Sequence, residues 1–204
     1  MKRTVVVLVA FCIILPSTVL VFASETNVKA YGNIEFGESY STVKRKAEQD
    51  SDMYYVGGFP EKPLVVGDIV ITDYGAGIHF SFFKDQLYQV KINSKDQTAN
   101  YFDSIIKPFQ KVLVKIMTKN YGPATKSKDI GFADLKKGFI KWSHLWEPGD
   151  IGVEKEIKIG IHSYAHASEY RVIMLINYPP LNEKRKQIEK AEDENSIAEE
   201  SENF

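Results

Sequence analysis

The clearest alternation of apolar and polar residues lies in the segment HFSFFKDQLYQVKI, which reverses direction at KDQ. Alternate side chains of a strand share one face. Three residues before the turn can therefore meet three after it on the same face: Ile78, Phe80 and Phe82, and Tyr88, Val90 and Ile92. The pattern therefore predicts a β-hairpin, with strands at 78–83 and 87–92 and with one aromatic face in the core. A further strand is predicted just before the hairpin, at 68–72.

A short helix is predicted ahead of these strands, in the segment FGESYSTVKRKAEQ. Ser39 is suited to cap its first turn, and Tyr40, Val43 and Ala47 recur on one side at helical spacing. The stretch that follows, residues 50–67, is polar and is interrupted by glycine and proline. We expect it to be a loop with room for one short strand.

The second half of the chain repeats this order. An amphipathic helix is predicted from about Ser104, with Phe109 in its apolar stripe, Pro108 in its first turn, and Gly122 and Pro123 at its end. Three strands are predicted after it, at 139–146, 156–162 and 171–178. The last of them contains VIMLIN, which is apolar on both faces and therefore typical of a central strand.

The order helix, strands, helix, strands predicts an α+β fold built from two helix-on-antiparallel-sheet units in tandem. We place the first unit at residues 24–98 and the second at 99–180, and we leave open whether their strands form one continuous sheet. The tail at 181–204 begins with helix-forming residues and then becomes acidic. Disorder is therefore expected from about Ala191.

The lines FGESYSTVKRKAE and IHFSFFKDQLYQVKI resemble the helix-then-meander unit of the BamE and β-lactamase-inhibitor-protein type of bacterial envelope proteins. Phe80, Phe82, Asp85 and Tyr88 match the hairpin pattern of that unit, and KNYGPAT resembles its glycine-proline helix end. The inhibitor proteins are further similar in having two such units in tandem. The usual pair of short helices per unit, the inhibitors' disulfides and the lipid anchor of BamE are not evident in this sequence. The resemblance implies a fold and a place in the cell envelope, and it transfers no functional residue.

The N-terminus has the pattern of a secretory signal peptide at residues 1–23. Two basic residues precede the apolar run TVVVLVAFCIIL, and small residues lead to a cleavage position after Ala23. An uncleaved membrane anchor is the alternative, because the apolar segment is nearly long enough to cross a bilayer. The bulky Phe11 argues against lipid attachment at Cys12. We therefore expect an exported protein, either periplasmic or secreted.

Cleavage would remove Cys12, the single cysteine of the chain, and with it any disulfide or thiolate site. It would leave 24 basic and 27 acidic residues, of which four basic and eight acidic ones fall at 183–204. The body is then close to neutral, without the concentrated basic face that nucleic-acid binding requires. Membrane contact is expected only through the N-terminal segment, if that segment stays uncleaved.

The sequence contains no GxSxG, phosphate-loop or HExxH motif, so we assign no catalytic residue and expect no cofactor. The segment HSYAH has the four-residue spacing of a metal pair on a helix, but here it is expected to form a hairpin turn. His162, His166 and Glu169 are therefore weak metal candidates, and no metal is expected. We expect a protein that is not an enzyme and leave that question open.

Aromatic residues are the candidates for partner contacts, because tryptophan and tyrosine dominate interface hot spots. We single out Trp146, Tyr164 and Phe59. The alternative is that aromatic residues such as Trp142 and Tyr178 only fill the core between helix and sheet. Trp146, which lies beside the turn EPGD, is expected to be the more exposed of the two tryptophans.

These features predict a non-catalytic binding or scaffold module of the cell envelope, which holds a protein partner against a sheet face and its loops. Two alternatives stay open. One is an inhibitor of a secreted or periplasmic enzyme. The other is a small-ligand carrier or enzyme with an apolar pocket between helix and sheet.

Overall fold

The computed structural model describes residues 28–59, 63–149, 153–166 and 168–201. The predicted signal peptide at residues 1–23 lies outside the described residues. Among the helices that are described, none is long and apolar enough to cross a membrane.

Each half of the chain contains a helix followed by a run of strands. The first half contains β1 (Lys29–Tyr31), β2 (Ile34–Glu35), α1 (Tyr40–Gln49), β3 (Met53–Phe59), β4 (Leu64–Ile71), β5 (Tyr74–Phe83), β6 (Gln86–Ser94) and β7 (Gln97–Thr98). The second half contains a 3-10 turn (Ala99–Tyr101), a π turn (Phe102–Ile106), α2 (Lys107–Tyr121), β8 (Lys126–Ser127), a 3-10 turn (Phe132–Asp134), β9 (Ile140–Trp146), β10 (Glu156–Ser163), β11 (Glu169–Asn177) and α3 (Pro179–Ser201). All six strands predicted from the sequence are present, with ends shifted by a few residues.

One antiparallel sheet joins the two halves. Over the described residues its order is β3-β4-β5-β6-β11-β10-β9-β8, with the short β7 added alongside β11 as a ninth strand. The last long strand of each half, β6 and β11, pair at the centre, where Ile92 lies opposite Met174 and Val90 lies opposite Ile176. The prediction of an α+β fold with two helix-on-sheet units is confirmed, and their strands form one continuous sheet. The expectation that VIMLIN forms a central strand is confirmed by the position of β11.

The hydrophobic core lies on the face of the sheet that packs against α1 and α2. Phe80 and Val90 face each other across the β5–β6 hairpin, as predicted, and neither is accessible to solvent. Val43 and Ala47 of α1 and Phe109 of α2 belong to the same buried cluster. Burying a side chain the size of Val or Phe contributes roughly 1.5–3 kcal/mol, so this layer between helices and sheet is the main source of stability.

The cap of α1 joins the helix to the opening hairpin. The hydroxyl of Ser39 accepts a hydrogen bond from the backbone N–H of Thr42 at 3.3 Å, which is the predicted cap. The N–H of Tyr40 donates to Asp85 Oδ1 at 2.9 Å. Asp85 and Lys84 both have positive φ angles, 61° and 47°, in the two-residue turn between β5 and β6. The turn that reverses the hairpin therefore also supplies a carboxylate to the start of α1, where an anion is favoured.

The ends of α2 follow from proline and glycine. The helix begins at Lys107, slightly later than predicted, and Pro108 lies in its first turn, directly after the π turn at Phe102–Ile106. Gly122 has a φ of 77° and its N–H donates to Thr118 O at 2.9 Å. Glycine is favoured there because other residues rarely adopt positive φ.

The prediction for residues 50–67 is wrong in part, because this stretch contains all of β3 and the first residues of β4. Met53 is buried while Tyr54 is exposed, so the segment does alternate like a strand. The pairing of β3 with β4 is irregular between Tyr55 and Gly57. That bulge, and the two glycines in VGGF, interrupt the alternation that would have indicated a strand.

The prediction for the tail is also wrong, because α3 continues to Ser201 where disorder was expected from about Ala191. Strong helix formers and side-chain pairs one turn apart explain the helix. Arg185 pairs with Glu189 at 2.6 Å, and Glu194, which lies beyond Ala191, pairs with Lys190 at 3.6 Å.

Candidate binding face

The two faces of the sheet differ in what covers them. We call the face opposite α1 and α2 the open face. The strand register places these residues on it: Tyr54, Phe59, Leu64, Val66, Asp68, Val70, His79, Gln89, Lys91, Asn93, Trp142, Leu145, Lys158, His162, Arg171, Ile173 and Leu175. Ile173 is buried but does not belong to the main core cluster, which is consistent with its place on the other side.

One border of the open face is apolar and exposed. Tyr54 and Phe59 of β3 are 76% and 56% exposed, and Val70 of β4 is 71% exposed. We call these three residues the apolar margin. Strand β3, with the sequence MYYVGGF, is an edge of the sheet and has no charged residue to discourage further pairing. Exposed apolar side chains grouped in this way are typical of interaction surfaces.

The middle of the open face is basic. His79 and Lys91 lie opposite each other on β5 and β6, and Arg171 and His162 lie opposite each other on β11 and β10. We call these four residues the basic centre. Arg171 is paired with Asp96 through two hydrogen bonds of 2.7 Å. Within the described part of the chain, Lys91 has no such carboxylate partner.

Burial and mutual repulsion shift the pKa values of this group. Burial lowers the pKa of the Lys91 ammonium, and the neighbouring Arg171 lowers it further. The pKa of His79 is lowered by burial first and then by Lys91 and Arg171, and the pKa of His162 is lowered by burial and Arg171. The protonated forms of His79, His162 and Lys91 are therefore disfavoured, although Asp68 raises the pKa of His79 and Asp96 that of His162 in part. A carboxylate placed over the basic centre would relieve the repulsion and stabilise the protonated forms.

The surface between the side chains of the basic centre is formed by buried and partly apolar residues, which we call the floor. Asn93 and Ile173, which pair across β6 and β11, are each 5% exposed. Gly160 continues the same row on β10, and a Cβ there would lie 2.9 Å from the ring of Trp142. The indole therefore lies over the backbone of β10. Asn93 Oδ1 is buried without a hydrogen-bond partner among the described residues.

Two of the predicted partner-contact residues lie at this surface. Phe59 is exposed at the apolar margin. Tyr164 is half-buried, with the guanidinium of Arg171 4.8 Å from its ring centre and the ring of His162 at 4.6 Å. Phe59 lies at the end of the sheet that holds the β5–β6 turn, and Tyr164 lies in the β10–β11 turn at the other end. The structure therefore does not bring the two together in one cluster.

The expectation that Trp146 is exposed is wrong. Its side chain is 1% exposed on the core face, and its indole N–H donates to Gly122 O at 3.0 Å. The reason is a bulge in β9: Trp146 pairs with Ile157, but the register shifts by one residue before Trp142 pairs with Gly160. A one-residue shift moves a side chain to the other face. The half-buried Trp142 is therefore the tryptophan of the open face.

The three weak metal candidates do not form a site. His162 is in β10, Glu169 starts β11, and His166 is exposed in the turn between them, which is the hairpin turn that the sequence predicted. Across the described residues, no group of three or more His, Cys, Asp or Glu side chains is placed to hold a metal ion.

The sequence pattern did not reveal the basic centre. Each of its four members comes from a different strand, so no local spacing relates them, and only the pairing of β6 with β11 brings the two halves of the group together. The signal that was available is weak: His79 and Lys91 occupy the polar positions of the opening hairpin.

Comparisons with known proteins give no match: no family model, no curated protein and no solved structure matches the chain. The resemblance to the BamE and β-lactamase-inhibitor-protein type therefore stays a prediction.

Proposed function

We propose that this chain is a non-catalytic binding module of the bacterial cell envelope, which holds a protein partner against the open face of its sheet. The observation that supports it is the combination of the apolar margin with an incompletely paired basic centre on one surface. A partner segment with acidic residues beside apolar ones would complement both parts. The predicted export signal supports the location.

The physical case depends on how much each part contributes. Exposed aromatic side chains such as Tyr54 and Phe59 bury large area with little loss of side-chain entropy, and such residues dominate hot spots at roughly 2 kcal/mol or more. Charges in the basic centre are already partly desolvated, so a carboxylate reaching Lys91 replaces little water and fixes the register of the complex. The apolar margin then provides affinity, and the basic centre provides selectivity for acidic segments.

Crosslinking capture from envelope extract tests the proposal. We would compare the full parent chain with Tyr54→Ser/Val70→Ser at the margin and with Lys91→Gln at the centre. Each variant is expected to lose the captured protein, with binding weakened roughly tenfold or more. Tyr101→Ser is the matched control, because Tyr101 is 50% exposed but lies in the 3-10 turn outside the sheet. It is expected to bind like the parent.

Mass spectrometry of the crosslinks provides the second measurement. Crosslinks are expected at Lys91 and Lys158 of the open face and not at Lys44 of α1. Capture that is equal for all variants, or crosslinks that map to α1, would contradict the proposal. If the captured protein is an enzyme that loses activity at one-to-one stoichiometry, the inhibitor alternative accounts for the same face.

The carrier alternative depends on a cavity between helix and sheet. An apolar cavity of about 240 Å³ does lie there, between Leu113 and Met117 of α2 and Met174 of β11. It is smaller than the roughly 300–1,000 Å³ of most ligand sites. Its lining lysine, Lys155, is 7% exposed and already donates to Lys29 O at 2.5 Å. This cavity therefore supports a carrier less well than the open face supports a binding module.

A further inference from the structure

A larger cleft lies away from the open face, between α2 and the short edge formed by β8 and β9. Its volume is about 590 Å³, within the range of roughly 300–1,000 Å³ that is typical of small-molecule sites. One wall is α2, and the other is the chain from Ser127 to Asp129. The proposed protein-binding function does not use this cleft.

Lysines line the helical wall at regular spacing. Lys107, Lys111, Lys115 and Lys119 follow one another every four residues along α2 and all border the cleft. Residues four apart lie on the same side of a helix, roughly 6 Å apart along its axis. Lys128 adds a further cation from the opposite wall, where its backbone N–H donates to Ser143 O at 2.7 Å. The spacing is visible in the sequence as KPFQKVLVKIMTK, although the hydrophobic pattern alone gave it no role.

The charges in the cleft are not balanced. Among the described residues Asp129 is the one acidic residue in the lining, and it forms an ion pair of 2.5 Å with Lys107. The remaining lining lysines are without an ion pair in the part of the chain that the structure describes: Lys111, Lys115, Lys119 and Lys128. Like charges one helical turn apart destabilise a helix. A negative group in the cleft would offset this repulsion.

The surface between the ammonium groups is apolar. Val114 lies between Lys111 and Lys115 in the lining, and the methylene stem of a lysine is itself apolar. The polar groups at the floor are already bonded, because Gln110 Nε2 donates to Ser143 Oγ at 2.7 Å and His144 Nδ1 lies 2.8 Å from the same oxygen. The lysines are thus the charged donors that stay available, and the hydroxyls of Thr118 and Ser127 also border the cleft. An apolar chain fits the wall, and an anionic group fits the lysines.

We propose that this cleft binds a free anionic amphiphile: a carboxylate or phosphate head held between Lys111, Lys115 and Lys128, with its apolar chain along Val114. A walled cleft with a few convergent cations suits one such molecule. A bilayer would instead need a flat surface.

Isothermal titration of the full chain tests this, with dodecanoate below its micelle concentration as the probe. One molecule per chain is expected to bind. Lys111→Gln/Lys115→Gln is expected to weaken binding by about tenfold or more through the loss of charged hydrogen bonds. Lys137→Gln/Lys184→Gln removes the same charge from exposed positions outside the cleft and is expected to change nothing. Both pairs are solvent-exposed, so neither should impair folding.

Three results would overturn the proposal. The first is no binding of dodecanoate, or equal weakening by both double variants. The second is inorganic phosphate or neutral dodecyl maltoside binding as tightly as dodecanoate, since either would show that head and chain are not both recognised. The third is flotation with phosphatidylglycerol vesicles that Lys111→Gln/Lys115→Gln abolishes, which would assign the lysines to a membrane surface instead of a free ligand.

Discussion

Replacing Trp146 should destabilise the fold itself, although the residue was first expected at the surface. Its side chain is 1% exposed, and its N–H donates to Gly122 O, which closes the end of α2 against β9. Truncating a buried tryptophan to alanine costs roughly 3–5 kcal/mol, because apolar burial is lost and a cavity stays behind. The lost hydrogen bond adds about 1 kcal/mol. Domains have only about 5–15 kcal/mol in total, so Trp146→Ala should lose a large part of its stability.

Two comparison variants separate the contributions. Trp146→Phe keeps an aromatic ring but removes the N–H, so its cost should be about 1–3 kcal/mol from the carbonyl left without its donor and the smaller ring. Trp142→Ala truncates the half-buried tryptophan of the open face and should cost less than Trp146→Ala. The assay is urea unfolding of each variant, followed by far-ultraviolet circular dichroism so that the loss of an indole does not alter the signal.

Equal unfolding midpoints for Trp146→Ala and Trp142→Ala would refute this account of the two tryptophans. So would a Trp146→Phe variant as stable as the parent, since the hydrogen bond to Gly122 would then contribute nothing. A third contrary result is a Trp146→Ala variant that keeps its stability and loses a protein partner. That outcome would indicate that Trp146 lies at the surface, and the bulge in β9 would then not account for its position.

Two further predictions concern backbone space and pH. Gly160→Ala should lower the free energy of unfolding by roughly 1–3 kcal/mol, because the new Cβ would lie 2.5 Å from Lys141 O. Gly57→Ala is the control and should not lower it, since no atom of the described residues lies within 4 Å of its Cβ position. Equal urea midpoints for the two variants would contradict the close packing at Gly160. Burial lowers the pKa of three histidines from the usual 6.5: His79, His144 and His162. The folded chain then binds fewer protons than the unfolded one, so the urea midpoint should fall as pH drops from about 7.5 to 5.5, and the fall should be smaller in His79→Gln. A midpoint that is flat or rises over that range would contradict the shifts.

Periodicity was sufficient to predict the fold class, because the information it carries is local. Ser39 as the cap of α1 and Gly122 at the end of α2 depend on neighbours within a few residues. The opening hairpin likewise depends on a two-residue turn and on cross-strand pairs such as Phe80 with Val90. Short-range patterns of this kind survive in a single sequence.

Register shifts are what the sequence could not reveal. Trp146 was expected to be the more exposed tryptophan, but the bulge in β9 places it on the core face and leaves Trp142 on the open face. The hairpin shows the same effect, because a shift between Ser81 and Phe82 leaves Tyr88 outside the core row that Val90 occupies. Both shifts lie between consecutive strands, but a single extra residue is not marked in the alternation of apolar and polar residues. The faces of individual aromatic residues, and so the candidate contacts, required the structure.

The open face depends on one property that is visible in the sequence: β11 is apolar on both of its faces. Val172, Met174 and Ile176 point into the core, and Ile173 points to the open face, where it is 5% exposed. Ile173 is buried on the face that α1 and α2 leave uncovered because β11 has a strand on each side, and the residues of those strands provide the cover. In this protein those neighbours are β6 and β10, which bring Lys91 and His162 to the same surface. The apolar character of β11 on both faces therefore also gives the basic centre its apolar floor. Because β6 belongs to the first unit and β10 and β11 belong to the second, the site forms only when the two units join in one sheet.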